Sequence, residues 1–303
     1  MEQPFRDALA RFVFEPRAVR GALVSLDATR ADILACHAYP PALARVLTEL
    51  LAAAALVASS LKFQGSLIVQ LQAEGPVRLL VVECDAELNL RATAQWTDAA
   101  AALPVDADLA TLVGGAGNGR LAIILDPKDG GQIYQGIVTL EATGIAALME
   151  HYFATSEQIP SRIAIAADAT RVRGLLLQRL PGGTAEDDAL WAEVAAQVDH
   201  VAPAHLLDAA DPAQLLTRHF AGEDIRLFRA YATHFRCSCT QERVENALRL
   251  VGAREIDEIL AEHGEVSVTC EFCNCAYAFA PESARALFRA GEADPARPVA
   301  ARH

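Results

Sequence analysis

Residues Phe235-Arg236-Cys237-Ser238-Cys239 and Thr269-Cys270-Glu271-Phe272-Cys273-Asn274-Cys275 hold five of the seven cysteines in the chain. Thirty residues separate Cys239 from Cys270, room for one or two helices that bring the runs back together. Close-spaced thiol pairs on either side of a short insert are the sequence form of a four-thiolate metal site. Zinc suits it best, because zinc takes four sulfurs tetrahedrally and has no redox chemistry of its own. Cysteines also serve as small buried hydrophobes, but core cysteines are not crowded into two short polar runs. A disulfide framework belongs to an oxidising compartment, and an acidic chain without a secretory signal is expected in a reducing one. The first run is C-x-C, the second C-x-x-C, and Cys275 adds an overlapping C-x-C. Five sulfurs thus compete for four positions. The ligand set read here is Cys237, Cys239, Cys270 and Cys273, holding one Zn2+, with Cys275 spare.

Such a site can do two things. Zinc keeps each sulfur deprotonated, and thiolates are the species that oxidants attack. A sulfenic acid formed on one sulfur can condense with its neighbour, and a strained, exposed disulfide of that kind is reducible and regulatory. Metal binding in small zinc modules contributes roughly 10–16 kcal/mol of folding free energy. The cluster is therefore a permanent staple or a redox-triggered unfolding switch, and thiol chemistry alone leaves both open.

Composition sets the bounds. A chain of 303 residues with 52% hydrophobic content can bury two domains. Its net charge of −13 and pI near 5.1 disfavour nucleic acid as a partner, since phosphate binding needs concentrated Lys and Arg. Met1 to Asp7 show no basic run leading into an apolar one, and the most apolar run, Leu50 to Ala58, is too short to span a bilayer. A cytoplasmic protein without a membrane partner is expected. No Ser/His/Asp constellation or carboxylate pair stands out, and the eight histidines are scattered. This is not the sequence of an enzyme.

Taken in order, the chain opens with a short helical start, then a strand over 20–26, with Asp27 and Thr29 placed to cap a helix at 30–34. A long Ala/Leu-rich helix over 42–63 is apolar around most of its axis, which implies burial on several sides. Strands follow at 66–72, 77–83 and 88–94, the last in clean alternation, then at 121–125 and 136–140. A helix over 145–155 and a last strand over 161–167 complete the region. The Gly-rich loop 114–119 lacks the Lys-Ser/Thr and the register of a phosphate cradle and reads as a tight turn between strands. Cys36 and Cys84 lie in apolar segments and read as core thiols.

Leu180-Pro181-Gly182-Gly183 marks a boundary. Beyond it, short acidic helices over 190–201, 204–209 and 212–220 carry Leu206, Leu207, Leu215, Leu216 and Phe220, an apolar stripe that needs a partner surface. Helices this short depend on docking, and weakly held segments are where switches are drawn from. In the cluster module, helices are expected at 241–250 and 253–263 and strands at 266–269 and 276–279. The fold class is α+β. A mainly antiparallel-sheet domain with packed helices occupies 1–180, a metastable helical linker 181–231, and a small C-terminal zinc-binding domain 232–303, with its tail fraying beyond Ala290.

Beyond single motifs, the chain resembles the 33 kDa redox-regulated heat-shock chaperone family, a group of bacterial holdases. The resemblance rests on Val19-Arg20-Gly21, Leu61-Lys62-Phe63-Gln64-Gly65, Gln70 through Pro76, Tyr134 through Val138, Tyr152 through Pro160, and the two cysteine runs, in this order up to about Phe279. It implies one zinc on Cys237, Cys239, Cys270 and Cys273 in a reduced, inactive state. Peroxide or hypochlorite, helped by heat, would then expel zinc and pair Cys237 with Cys239 and Cys270 with Cys273. The linker, matching 181–231, would lose order, and exposed apolar surface would bind unfolding clients without ATP, as a homodimer. Cys275 departs from the family pattern and leaves Cys273–Cys275 as another pairing. The client surface is expected on the Leu206–Phe220 stripe or on the sheet face of residues 66–94. A zinc-stapled adaptor without a switch is the alternative. A dithiol oxidoreductase lacks the thioredoxin-like βαβ setting, and a zinc hydrolase would lack an open coordination position.

Overall fold

In the computed structural model, which describes residues 5–127, 130–141 and 144–288, the run expected to start helical is strand β1 (Ala8–Phe14). It pairs along its whole length with β2 (Val19–Leu26). Pairing overrides local preference here, because alternate residues have apolar cover on both sides: Leu9 joins one core, and Ala10, Phe12 and Phe14 join another. Helix α1 (Ala28–Leu34) follows. Its expected caps, Asp27 and Thr29, make no capping bond; the carboxylate of Asp7 accepts the amides of Asp27, Ala28 and Thr29 instead.

Helix α2 (Pro41–Ser60) is the centre of the first unit. Its Ala/Leu surface is buried all round, as the sequence suggests, because it lies against both large sheets. It is long and apolar enough to cross a membrane, but most of it is buried inside the protein, as in a core helix. The sheet on one side runs β12-β5-β4-β3-β6-β7, from β3 (Gly65–Ala73), β4 (Val77–Asp85), β5 (Asn89–Trp96), β6 (Gly119–Pro127), β7 (Tyr134–Thr139) and the late strand β12 (His234–Phe235). All pairings are antiparallel except the parallel β12–β5. Between β5 and β6 comes the short helix α3 (Leu109–Val113). The Gly-rich loop therefore turns from a helix, not from a strand: Gly114 ends α3 with φ +83°, a conformation that favours glycine, and Asn118 donates to its carbonyl.

The second sheet runs β10-β1-β2-β9-β8, from β8 (Ser161–Ala167), β9 (Val172–Arg179) and β10 (Ile225–Leu227), with β11 (Tyr231–Ala232) also on β1. Helix α4 (Ile145–Tyr152) leads into β8 through a wider turn over Phe153–Glu157. β9 was not expected, since 161–167 reads as the last strand. It lies between β2 and β8 and is buried on both faces, so it shows no alternation to read. Leu176 faces α2, while Leu175 and Leu177 face away. Gly174 lets α2 come close: a β-carbon there would sit 2.9 Å from a methyl of Leu56.

The face that β9 turns away from α2 is covered by α5 (Ala185–Asp199), α6 (Pro203–Asp208) and α7 (Pro212–His219). α6 and α7 fall where helices were expected at 204–209 and 212–220, while α5, expected at 190–201, begins five residues earlier at Ala185. The partner surface that the stripe requires is this sheet face: Phe12, Phe14, Leu23, Leu175 and Leu177 pack against Val194, Leu206, Leu215, Leu216 and Phe220. The start of α5 is fixed by a capping box in which the Asp187 carboxylate accepts the amide of Thr184 and, across the chain, the amide of Ala18. Those amides hold the Asp187 carboxyl down at about 2, below its ordinary 3.8. A depressed carboxylate stabilises above its unfolded pKa and ceases to as pH falls through the folded one. The attachment of α5 should therefore be intact from neutrality to about pH 4 and be lost toward pH 2. Fluorescence of Trp191, which packs in this layer, would follow the step, and Asp187→Asn should abolish it.

Residues 1–236 form one compact unit and a second begins at Cys237. The second contains α8 (Gln241–Val251), α9 (Ala253–His263), the hairpin β13 (Val266–Thr269) and β14 (Ala276–Phe279), and α10 (Pro281–Ala286). α8, α9 and the hairpin match the elements read from the sequence; α10 was not read from it. The fraying expected beyond Ala290 lies outside the described residues. The unit's core is small: Leu248, Ile256, Leu260, Val266, Phe279 and Ala284.

Candidate metal centre

The hairpin of the second unit supplies half of the site. Its loop is the C-x-x-C run, closed by the amide of Asn274 donating to the carbonyl of Cys270 at 2.8 Å and the amide of Cys270 donating to that of Cys275 at 2.9 Å. Asn274 takes the left-handed conformation, φ +58°, which asparagine tolerates better than most residues. The C-x-C run supplies the other half, just before α8. Thr240 caps that helix by accepting the amide of Arg243. The Arg243 guanidinium then donates back to the carbonyl and hydroxyl of Ser238, at 3.0 and 2.6 Å. This pins the loop between Cys237 and Cys239 in place.

The result is that the sulfurs of Cys237, Cys239, Cys270 and Cys273 all lie within 4.8 Å of one another, each half-buried. The four are placed to hold a metal ion. A tetrahedral ion with bonds of about 2.3 Å would set sulfur–sulfur edges of about 3.8 Å. The Cys237–Cys270 distance is 3.7 Å and Cys239–Cys273 is 3.3 Å, so the sulfurs match such an ion with little movement. Burial, together with the Cys239, Cys237 and Cys270 sulfurs, holds the Cys273 thiol above the ordinary range. Four facing sulfurs resist becoming thiolates unless a cation sits among them.

Cys275 is exposed and outside this group. Cys84 is fully buried in the main core, as read from the sequence, and burial pushes its thiol far up. Cys36 is not a core thiol: it is half-buried just past the end of α1. Leu206, Leu215, Leu216 and Phe220 are buried in the first unit under the helical layer, with Leu207 half-buried beside them. In the sheet of residues 66–94, Leu67, Val69, Leu71, Leu80 and Val82 belong to the main core.

One contributor was missed. The Tyr277 hydroxyl donates to the Cys239 sulfur at 3.2 Å. Its place in β14, two residues after Cys275, orients it toward the cluster, but in sequence it reads only as part of an apolar strand. Hydrogen bonds of this kind orient ligands and tune the metal, and their loss typically costs 10–100-fold in affinity. Tyr277→Phe should weaken metal binding by roughly 10-fold or more while leaving the fold intact, measured by competition with a chromophoric chelator.

A family model described as Hsp33 protein matches residues 7–280. The 33 kDa chaperonin of Ectopseudomonas mendocina is 42% identical, over 93% of this chain and 95% of its own length. That of Methylobacillus flagellatus is 40% identical, over 93% and 94%. The crystal structure of the 33 kDa chaperonin (heat shock protein 33 homolog) from Thermotoga maritima aligns with a TM-score of 0.80 at 23% identity, covering 94% of this chain and 98% of that one. At that identity it shows a shared fold.

Proposed function

The chain belongs to the Hsp33 family of chaperones, not to a family of enzymes, and from this premise we propose that it is a redox-regulated, ATP-independent holdase of the cytoplasm. The observation that carries the reading is the convergence of four sulfurs at Cys237, Cys239, Cys270 and Cys273. In the resting state these hold one Zn2+, which when bound keeps the sulfurs as thiolates and ties the hairpin to the start of α8.

Hydrogen peroxide oxidises one thiolate to a sulfenic acid, the leaving hydroxide taking a proton from solvent to become water. A neighbouring sulfur displaces the hydroxyl as a second water, leaving a disulfide. Two such steps remove all four donors. We assign the pairs as Cys237–Cys239 and Cys270–Cys273, following the family resemblance, with Cys275 as an alternate partner of Cys273. Close sulfur contacts also run between the runs, Cys237 to Cys270 and Cys239 to Cys273, so peptide mapping has real alternatives to decide between.

The layer α5–α7 is the segment that opens. It covers an apolar face with helices too short to persist alone. Opening bares both the Leu206–Phe220 stripe and the sheet face bearing Phe12, Phe14, Leu23, Leu175 and Leu177. Clients are unfolding proteins, and the oxidised form is a homodimer that binds neither nucleic acid nor membrane.

The test combines zinc release, thiol counting and suppression of aggregation of a thermally unfolding client, before and after peroxide at elevated temperature. The expected result is one ion and four thiols lost together with new holdase activity, while buried Cys84 stays unreacted. Zinc retained under oxidation, or released with no activity, would leave a zinc-stapled adaptor.

A further inference from the structure

After α7 the chain does not pass straight to the cysteine cluster. Residues 225–235 form a strap laid across the rims of both large sheets. β10 and β11 pair with β1, and β12 pairs with β5. The attachments are mainly main-chain ones. The amide of Glu15 donates to Asp224, and those of Phe228 and Thr233 donate to Arg11 and Asp7. The amides of His234 and Arg236 donate to Leu88 and Leu90, at 3.2 and 3.0 Å. Side chains add to them: Ile225 and Leu227 pack on the helix-covered apolar layer and Phe235 on the main core, and Arg226 pairs with Glu15. Thr233 is buried, but Phe228 is 40% and Tyr231 50% exposed.

Without the strap, β1 and β5 would be edge strands of their sheets. Neither carries a lysine or a proline, two of the devices that keep a free edge from recruiting another strand, and each carries a single charge, Arg11 on β1 and Arg91 on β5, the latter paired with Glu83 of β4 rather than guarding the edge. Beside the strap lies a cleft of about 670 Å³ with a mixed lining, apolar at Leu9, Leu61, Phe63 and Leu88 and polar at Lys62, Gln64 and Glu87, with Tyr231 of the strap on its wall. An unpaired edge beside a cleft of mixed lining is an arrangement that captures an extended peptide: the backbone gives affinity and the cleft receives alternate side chains, apolar or polar.

We propose that the strap occupies a strand-addition site in cis, and that the edges of β1 and β5 bind the extended backbone of an unfolded polypeptide once the strap is released. The proposal deepens the holdase reading and rests on it. Release and oxidation are connected through the chain itself, since Arg236, the last strap anchor, is followed directly by Cys237. The exposed sheet face offers clients apolar area without direction. The edges add hydrogen bonding that any sequence can satisfy, which suits a site that must accept many clients.

The experiment is hydrogen–deuterium exchange on the full chain in three states: reduced, peroxide-oxidised, and oxidised with carboxymethylated α-lactalbumin, a permanently unfolded probe. Suppression of aggregation is read in parallel. In the oxidised protein alone, peptides covering 225–236, 8–15 and 88–96 should exchange roughly 100-fold faster than in the reduced one. With the probe, 8–15 and 88–96 should regain protection while 225–236 remains fast. Two results would overturn the proposal: a strap that stays protected in active protein, or edges that stay unprotected in the client complex. Absence of holdase activity after oxidation would instead sink the functional reading on which it rests, and is scored separately.

Discussion

Stripping the metal from the reduced protein will unfold residues 237–288 and leave the first unit folded. Among its described residues the second unit fully buries six apolar side chains in its core, and a module of this size rarely sustains itself on such a core without a metal or disulfides. Its helices α8 and α9 are eleven residues each, too short to persist in isolation. What joins the hairpin to the start of α8 is the set of four sulfurs. Apparent binding free energies of roughly 10–16 kcal/mol for such sites exceed anything this core can supply. Cys270→Ser should have the same effect without a chelator, because three sulfurs cannot close the tetrahedron. Amide exchange in α8 and α9 would rise to that of an unfolded chain, while α2 and the two large sheets would keep their protection. Persistent protection of α8 and α9 after chelation would show that the apolar core suffices and that the cluster is no staple.

This prediction draws on the part of the molecule that the sequence states most openly. Four thiols can share an ion only if their spacing brings them together, so the chemistry writes itself into the positions of Cys237, Cys239, Cys270 and Cys273. Strands β3, β4 and β5 were legible for a similar reason, since one face is buried and the alternation survives. β9 was not, because Leu175 and Leu177 face the helical layer while Leu176 faces α2, and burial on both faces erases the pattern. β1 was hidden by residues that also suit a helix, and only its pairing with β2 decides between them. The strap pieces β10, β11 and β12 are two or three residues long, too short for an alternation to show, and the main-chain bonds that help hold them leave no mark on side-chain choice. Asp7 and Tyr277 act on α1 and Cys239 at separations of 20 and 38 residues. Nothing local announces such partners; only the folded chain brings them into reach.

Phe220→Ala should give a protein that suppresses aggregation while still reduced and metal-loaded. Phe220 is 1% exposed, and its ring meets that of Phe14 edge-on at 5.5 Å. It closes the C-terminal end of the layer in which Leu215, Leu216 and Leu206 lie on the sheet. Truncating a buried phenylalanine costs about 3–5 kcal/mol, and here the loss falls on α6 and α7, of six and eight residues. Helices this short have no stability of their own to set against it, so the cost is expressed as local opening and not as unfolding of the whole unit, whose main core around α2 is separate. Leu207→Ala, at a half-buried position beside the same face, should open the layer much less. Exchange of peptides over 203–220 and light scattering of a heat-unfolding client, both without oxidant, would read the two effects together. If the peptides exchange freely and no activity appears, the covered face is not the client surface, and release of the strap or oxidation at the cluster must supply a step that opening alone does not. If the peptides stay protected, the contact with Phe14 is not what holds the layer down, and the acidic anchor at Asp187 becomes the residue to break.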